Sequence, residues 1–95
     1  MVKTKIWKKF RKKPVIIEAK QWFNLKDIPE IVTRYTDKDF NTCKHCGISL
    51  YLHGSIKTLE GMHIVCPGDW VIKGVKGEFY PVKPDIFNET YEPIN

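Results

Sequence analysis

Alanine and leucine are scarce in this chain: one alanine and four leucines stand against eleven isoleucines and seven valines in 95 residues. β-Branched side chains lose rotamer freedom in a helix and fit a pleated surface, so this shortage argues against a helix bundle and for a sheet. Long apolar runs are missing too. The longest aliphatic run near the N-terminus is Val15-Ile16-Ile17, far below the roughly 20 residues of a membrane span or the roughly 7 to 15 of a signal-peptide apolar region. A soluble, non-exported chain is expected. Three cysteines are an odd number and too few for a disulfide scaffold, which fits a reducing cytoplasm. Gly61, Gly68, Gly74 and Gly77 punctuate short apolar runs and do not open a helix, so no phosphate-binding loop is present. A chain this short has room for one core, and residues 1–95 read as a single domain.

Acidic residues are absent where the basic ones concentrate. Lys3, Lys5, Lys8, Lys9, Arg11, Lys12 and Lys13 place seven cations in eleven residues, leaving nine basic against eleven acidic residues elsewhere, although the net charge is +5. The arm over residues 1–13 therefore carries all of the positive excess. Trp7 and Phe10 interleave these cations, which suits a single-stranded nucleic acid, with lysines on phosphates and rings on bases. The leading expectation is plainer: a solvated first strand whose lysines discourage edge pairing, with Trp7 and Phe10 packed underneath.

Alternation of Val15, Ile17 and Ala19 with Glu18 and Lys20 predicts a strand from Pro14 to Trp22. Asp27 and Glu30 have capping-box spacing, and Ile28, Ile31, Val32 and Tyr35 recur at i, i+3, i+4 and i+7. This pattern predicts an amphipathic helix over about 27–35, lying on the sheet. The polar stretch 36–47 reads as an exposed loop. Short alternating runs then predict strands at 48–53, 55–59, 62–66, 70–73 and 78–82, joined by turns at Glu60-Gly61, Pro67-Gly68-Asp69 and Lys76-Gly77. Pro84 to Phe87 reads as one helical turn, and Thr90-Tyr91-Glu92 as a closing strand. The expected fold is α+β, an antiparallel sheet or partly open barrel of five or more strands with one helix packed on it.

Cys43-x-x-Cys46-Gly47 has the form of a zinc knuckle, in which two thiolates share a metal and glycine lets the backbone turn toward them. His63 and Cys66 could complete a tetrahedral site. Along a regular strand, however, residues three apart face opposite ways, and Met62, Ile64 and Cys66 alternate as though they all face the core. The leading expectation is therefore a buried Cys66 with loop thiols at Cys43 and Cys46 and no cofactor; zinc is the competing one. His45 and His53 are substitute ligands that read first as surface imidazoles. Glu78, Asp85 and Glu89 offer no spacing that separates acid–base chemistry from solubility, so no catalytic residue is assigned and the chain reads as a non-enzyme.

Several strings carry a family resemblance: Lys9-Phe10-Arg11-Lys12-Lys13-Pro14-Val15-Ile16-Ile17-Glu18-Ala19, Thr58-Leu59-Glu60-Gly61, Pro67-Gly68-Asp69-Trp70, and Gly77-Glu78-Phe79-Tyr80-Pro81 through Lys83-Pro84-Asp85-Ile86-Phe87 to Thr90-Tyr91-Glu92. Together they resemble small proteins of bacteriophage and prophage genomes. The resemblance covers the first strand and most of the C-terminal half but not 24–52. Family members often carry Cys where this chain has Val82, which argues against an essential thiol there. The likeness implies a phage source and the cytoplasm of an infected bacterium, and it implies no reaction. Gly68-Asp69 and Phe79-Tyr80-Pro81 are also similar to turns of small Src-homology-type barrels. That analogy would make Trp70, Phe79 and Tyr80 a peptide groove, against the simpler reading of strand aromatics as core. The leading functional expectation is a non-catalytic phage accessory protein that binds a host protein or nucleotide-like molecule. The alternative is a nucleic-acid-binding module using the arm, with zinc as a brace; neither reading involves a membrane, and oligomeric state stays open.

Overall fold

The structure is a computed structural model and describes residues 6–24, 26–33, 35 and 41–94. Among the described residues, five strands and one α-helix follow in order: β1 (Glu18–Gln21), β2 (Gly54–Thr58), β3 (Gly61–Val65), β4 (Trp70–Lys73), β5 (Phe79–Val82) and α1 (Pro84–Thr90). The strands form two antiparallel sheets, β1-β4-β5 and the hairpin β2-β3. The α+β class and the expectation of five or more antiparallel strands hold, with two separate sheets in place of a barrel. No described helix is long and apolar enough to cross a membrane.

Strand pairing sorts the side chains. Trp70 faces Val82 and Ile72 faces Tyr80 on one side of the three-stranded sheet, while Val71 faces Pro81 and Lys73 faces Phe79 on the other. Val71 and Phe79 look toward the hairpin, where Trp22, Ile28, Ile31, Ile56 and Val65 complete the core. On the opposite side lies α1, whose Phe87 ring stacks on Trp70 at 4.2 Å and on Tyr91 at 5.1 Å between centroids. Phe87 and Tyr91 are four residues apart and so share one face at the end of the helix. Pro84 begins the helix, Asp85 lies in its first turn, and the element runs past the single turn expected.

Among the described residues of 27–35, the expected amphipathic helix does not form. Asp27 caps nothing forward; its carboxylate accepts the N–H groups of Phe23 and Asn24 behind it at 3.0 and 3.1 Å. Ile28 and Ile31 close one turn, Ile31 N–H to Ile28 O at 3.1 Å, and Val32 then exchanges both backbone hydrogen bonds with Ser55 on β2. The β-branched run Ile31-Val32-Thr33 favours that extended path. Gly54 makes it possible, because a Cβ there would collide with Ile31 Cγ2. Ile28 and Ile31 are buried as expected, whereas Val32 faces outward.

Other boundaries move as well. The first strand is confined to 18–21, residues 50–52 form a 3-10 turn in place of a strand, and 91–92 continue as coil. The hairpin turn is Leu59-Glu60, since Thr58 pairs with Gly61. The Thr58 hydroxyl fixes it, accepting the Glu60 N–H at 3.1 Å and donating to Gly61 O at 2.9 Å. Gly61 and Gly77 have φ of +109° and +81°, which glycine alone adopts freely. With Thr58 opposite Gly61, Val65 and not Ile64 enters the core, and Met62 is exposed. Gly54 faces Val65 and Ile56 follows two residues later on the same side of the hairpin, so Val65 and Ile56 enter the core together.

Candidate functional site

The same hairpin builds the most chemically distinctive cluster among the described residues. Gly54 faces Val65 in the last pair of β2-β3, and the next residues outward are His53 and Cys66. Both are 1% exposed. Cys66 has already left the strand, and its turn is held by mutual bonds with Asp69: Cys66 N–H to the Asp69 carboxylate at 2.9 Å and Asp69 N–H to Cys66 O at 3.0 Å. Gly68, at φ +94°, lets this turn close, and its N–H donates to Trp22 O while Trp22 N–H donates to Asp69 O. The turn is thereby fixed to the end of β1.

A second small loop brings two more thiols. Thr42 bridges Ser49, Cys43 N–H donates to Ile48 O at 2.8 Å and Gly47 N–H to Cys43 O at 2.9 Å. Gly47 adopts φ +76°, the reversal that a knuckle needs. His45 N–H points at Cys43 Sγ at 3.3 Å, so a backbone dipole already faces the sulfur. Cys43 Sγ lies 3.7 Å from Cys66 Sγ, and Cys46 Sγ lies 3.1 Å from His53 Nε2. The four ligand atoms of Cys43, Cys46, His53 and Cys66 all fall within 4.8 Å of one another.

The surroundings act on the sulfurs in opposite senses. Lys83 Nζ reaches Cys66 Sγ at 3.0 Å and the Asp69 carboxylate at 3.1 Å, and Asp69 is itself buried. Burial raises the Cys66 thiol pKa most; Lys83 counters it and neighbouring Cys46, Asp69 and Cys43 add to it, leaving the thiol pushed up to about 12. Burial also acts on Cys43, but the N–H groups of His45 and Cys46 and the adjoining thiols bring its pKa below the ordinary value. Desolvation works against the Lys83 cation, yet Cys66 and Asp69 raise its pKa overall. Three thiols and an imidazole, with donors already aimed at two of the sulfurs, make a soft ligand set for a tetrahedral metal.

This geometry corrects the expected ligand set. His63 lies exposed on β3 opposite Ile56, away from the cluster, and the imidazole that joins the thiols is His53, which is buried and not at the surface. His45 is exposed and contributes its backbone N–H. Cys43 is buried with Cys66, and only Cys46 has the exposure expected of a loop thiol.

The basic arm gives a second correction. Lys3 and Lys5 lie outside the described residues, as does 36–40 of the expected loop. Residues 7–17 form neither strand nor helix. Trp7 is 99% exposed and Phe10 89%, so neither ring is packed underneath a first strand. Lys8, Lys9, Arg11, Lys12 and Lys13 are exposed alongside them. Lys12 anchors this stretch: its Nζ hydrogen-bonds the Tyr91 hydroxyl and lies 4.2 Å from the ring centroid. That contact is the chief influence lowering the Tyr91 pKa below its usual value, whereas burial, joined by Tyr91, raises that of Tyr80.

Trp70, Phe79 and Tyr80 do not line one groove. Phe79 faces the core, Trp70 is stacked under Phe87, and Tyr80 is on the Trp70 side of the sheet. Comparison with known proteins finds no matching protein-family model, curated protein or solved structure.

Proposed function

We propose that the chain is a non-catalytic module that binds single-stranded nucleic acid through its N-terminal arm. The observation that carries this reading is the pair of rings Trp7 and Phe10, almost wholly in water and set among the exposed cations Lys8, Lys9, Arg11, Lys12 and Lys13. Rings left in water contribute no burial to folding, while unstacked bases offer them apolar faces and the cations suit phosphates. Lys12 on Tyr91 ties the arm to the body. The resemblance of the Lys9–Ala19 and Gly77–Glu92 strings to small phage proteins supports the infected bacterium as the setting.

Fluorescence anisotropy with a labelled oligonucleotide tests the reading. If about five phosphates are neutralised, log affinity falls against log salt with a slope near about −3.5 on a single strand. Removing residues 1–11 abolishes the complex, and Trp7→Ala or Phe10→Ala costs about 1 to 3 kcal/mol for each stacked base lost. Affinity that survives loss of the arm contradicts the proposal. A partner captured from bacterial lysate equally with and without nuclease would instead support recognition of a host protein by the folded body.

A further inference from the structure

We propose that Cys43, Cys46 and Cys66 through Sγ, and His53 through Nε2, form a closed tetrahedral Zn(II) site that staples the knuckle to the open end of the β2-β3 hairpin. The site is independent of the arm and of what the arm binds.

The geometry of the donors carries it. Zinc–sulfur bonds of about 2.3 Å at tetrahedral angles separate two sulfurs by about 3.8 Å, and Cys43 Sγ and Cys66 Sγ are 3.7 Å apart. Cys46 Sγ and His53 Nε2, at 3.1 Å, sit slightly inside the roughly 3.5 Å that a shared zinc sets, a difference that a small rotation of the exposed Cys46 removes. The imidazole is oriented for ligation from its far side: Nδ1 lies 3.0 Å from the Ser49 carbonyl oxygen. A carbonyl only accepts, so Nδ1 carries the proton and Nε2 presents its lone pair toward the sulfurs. Metal-bound imidazoles are held by this kind of outer contact.

The outer contacts extend to the sulfurs. His45 N–H faces Cys43 Sγ and Lys83 Nζ faces Cys66 Sγ. Three thiolates around Zn(II) leave one negative charge, which the Lys83 ammonium adjoins. The donor set decides the metal class: three soft sulfurs and one nitrogen disfavour calcium and magnesium, which take oxygen, and suit a d10 ion that has no redox chemistry. Four protein donors fill all four positions, so the role is structural and no water is activated. The ligands come from three places in the chain: the 43–46 knuckle, the residue before β2 and the residue after β3. One ion joins them all.

The test uses the full-length chain purified under reducing conditions from zinc-supplemented medium. Elemental analysis and native mass spectrometry should find one zinc per chain, exchangeable for cobalt. The cobalt form should show tetrahedral ligand-field bands and thiolate-to-cobalt charge transfer. His63→Ala and His45→Ala should leave cobalt affinity within about threefold, while His53→Ala should weaken it by at least about 100-fold. Because His53→Ala could act by unfolding the hairpin, His53→Cys is the decisive variant. It keeps four donors, should still bind one cobalt, and should raise the charge-transfer absorbance by about a third as a fourth thiolate joins three. Absence of stoichiometric metal, an octahedral cobalt spectrum, loss of binding on His63→Ala, or an unchanged spectrum in His53→Cys would each overturn the assignment.

Discussion

Val65 and Cys66 adjoin in sequence and are both buried, yet they serve two different devices. Val65 belongs to an apolar core with Trp22, Ile28, Ile31, Ile56 and Val71, held by the exclusion of water and by close packing. Cys66 belongs to the thiol and imidazole cluster, in which atom type and lone-pair direction matter more than volume. The same division falls between His53 and Ile56 at the start of the hairpin. A core tolerates substitutions that conserve shape, whereas a ligand set tolerates only those that conserve chemistry. Variants therefore reveal which device a position serves.

Trp22→Ala should have the largest effect. Trp22 is fully buried in the core, and emptying such a site costs about 3 to 5 kcal/mol. Metal bound at the proposed site should stay stoichiometric in the folded fraction, the sign of a core that weakens while the chemistry of the thiol and imidazole cluster is unchanged.

Cys46→Ser comes next and separates the devices most cleanly. Cys46 is exposed, so packing alone predicts a change within about 0.5 kcal/mol. As a zinc ligand it should cost about 3 kcal/mol in zinc-containing buffer, because structural zinc binding is coupled to folding. Denaturant unfolding with and without zinc measures the difference, and the loss should disappear when metal is removed from both proteins.

The hairpin explains both what the sequence discloses and what it hides. Gly61 and Gly77 mark their turns because each supplies a positive φ, and alternation discloses the strands of the C-terminal half. The placement of one turn decides the site. With Glu60-Gly61 as the turn, Leu59 pairs with Met62 and Cys66 falls opposite Ser55, which leaves His63 as the nearest imidazole in sequence. With Leu59-Glu60 as the turn, His53 faces Cys66. Moving the turn by one position shifts every partner across the hairpin by two, and that shift brings His53 in place of Ser55 opposite Cys66. The helix expected over 27–35 fails for a different reason: its periodicity finds the buried Ile28 and Ile31, but the edge of β2 that captures Val32 is a tertiary feature. The exposure of Trp7 and Phe10 is hidden because alternation cannot tell a strand from an extended arm.

Gly61→Ala and Gly77→Ala should cost less than either variant above, about 1 to 2 kcal/mol each. A Cβ at either site meets nothing within 4 Å, so the loss is backbone strain alone and should be equal with and without zinc. Thermal unfolding checks it, and a stabilised variant would show that the positive φ is not required.

Lys12→Ala should have the smallest effect on stability, within about 0.5 kcal/mol at neutral pH, since the contact is exposed. Its signature is spectroscopic. Lys12 lowers the Tyr91 pKa, so an ultraviolet titration should show Tyr91 ionising before Tyr80, and the variant should move Tyr91 upward. A depressed phenol pKa contributes its full stability only above the unfolded value and loses it as pH falls through the folded one. The contribution therefore lies in the alkaline range and is absent at neutral pH.

The division between core and ligand set is tested most directly by equilibrium unfolding of the full-length chain under reducing conditions, zinc-loaded and after chelation, followed by near-ultraviolet circular dichroism. With zinc, one cooperative transition is expected; chelation should lower its midpoint and reduce the aromatic signal as the hairpin end loosens, and returning zinc should restore both. Superimposable transitions with and without zinc would show that the apolar core holds the fold alone and would contradict the division.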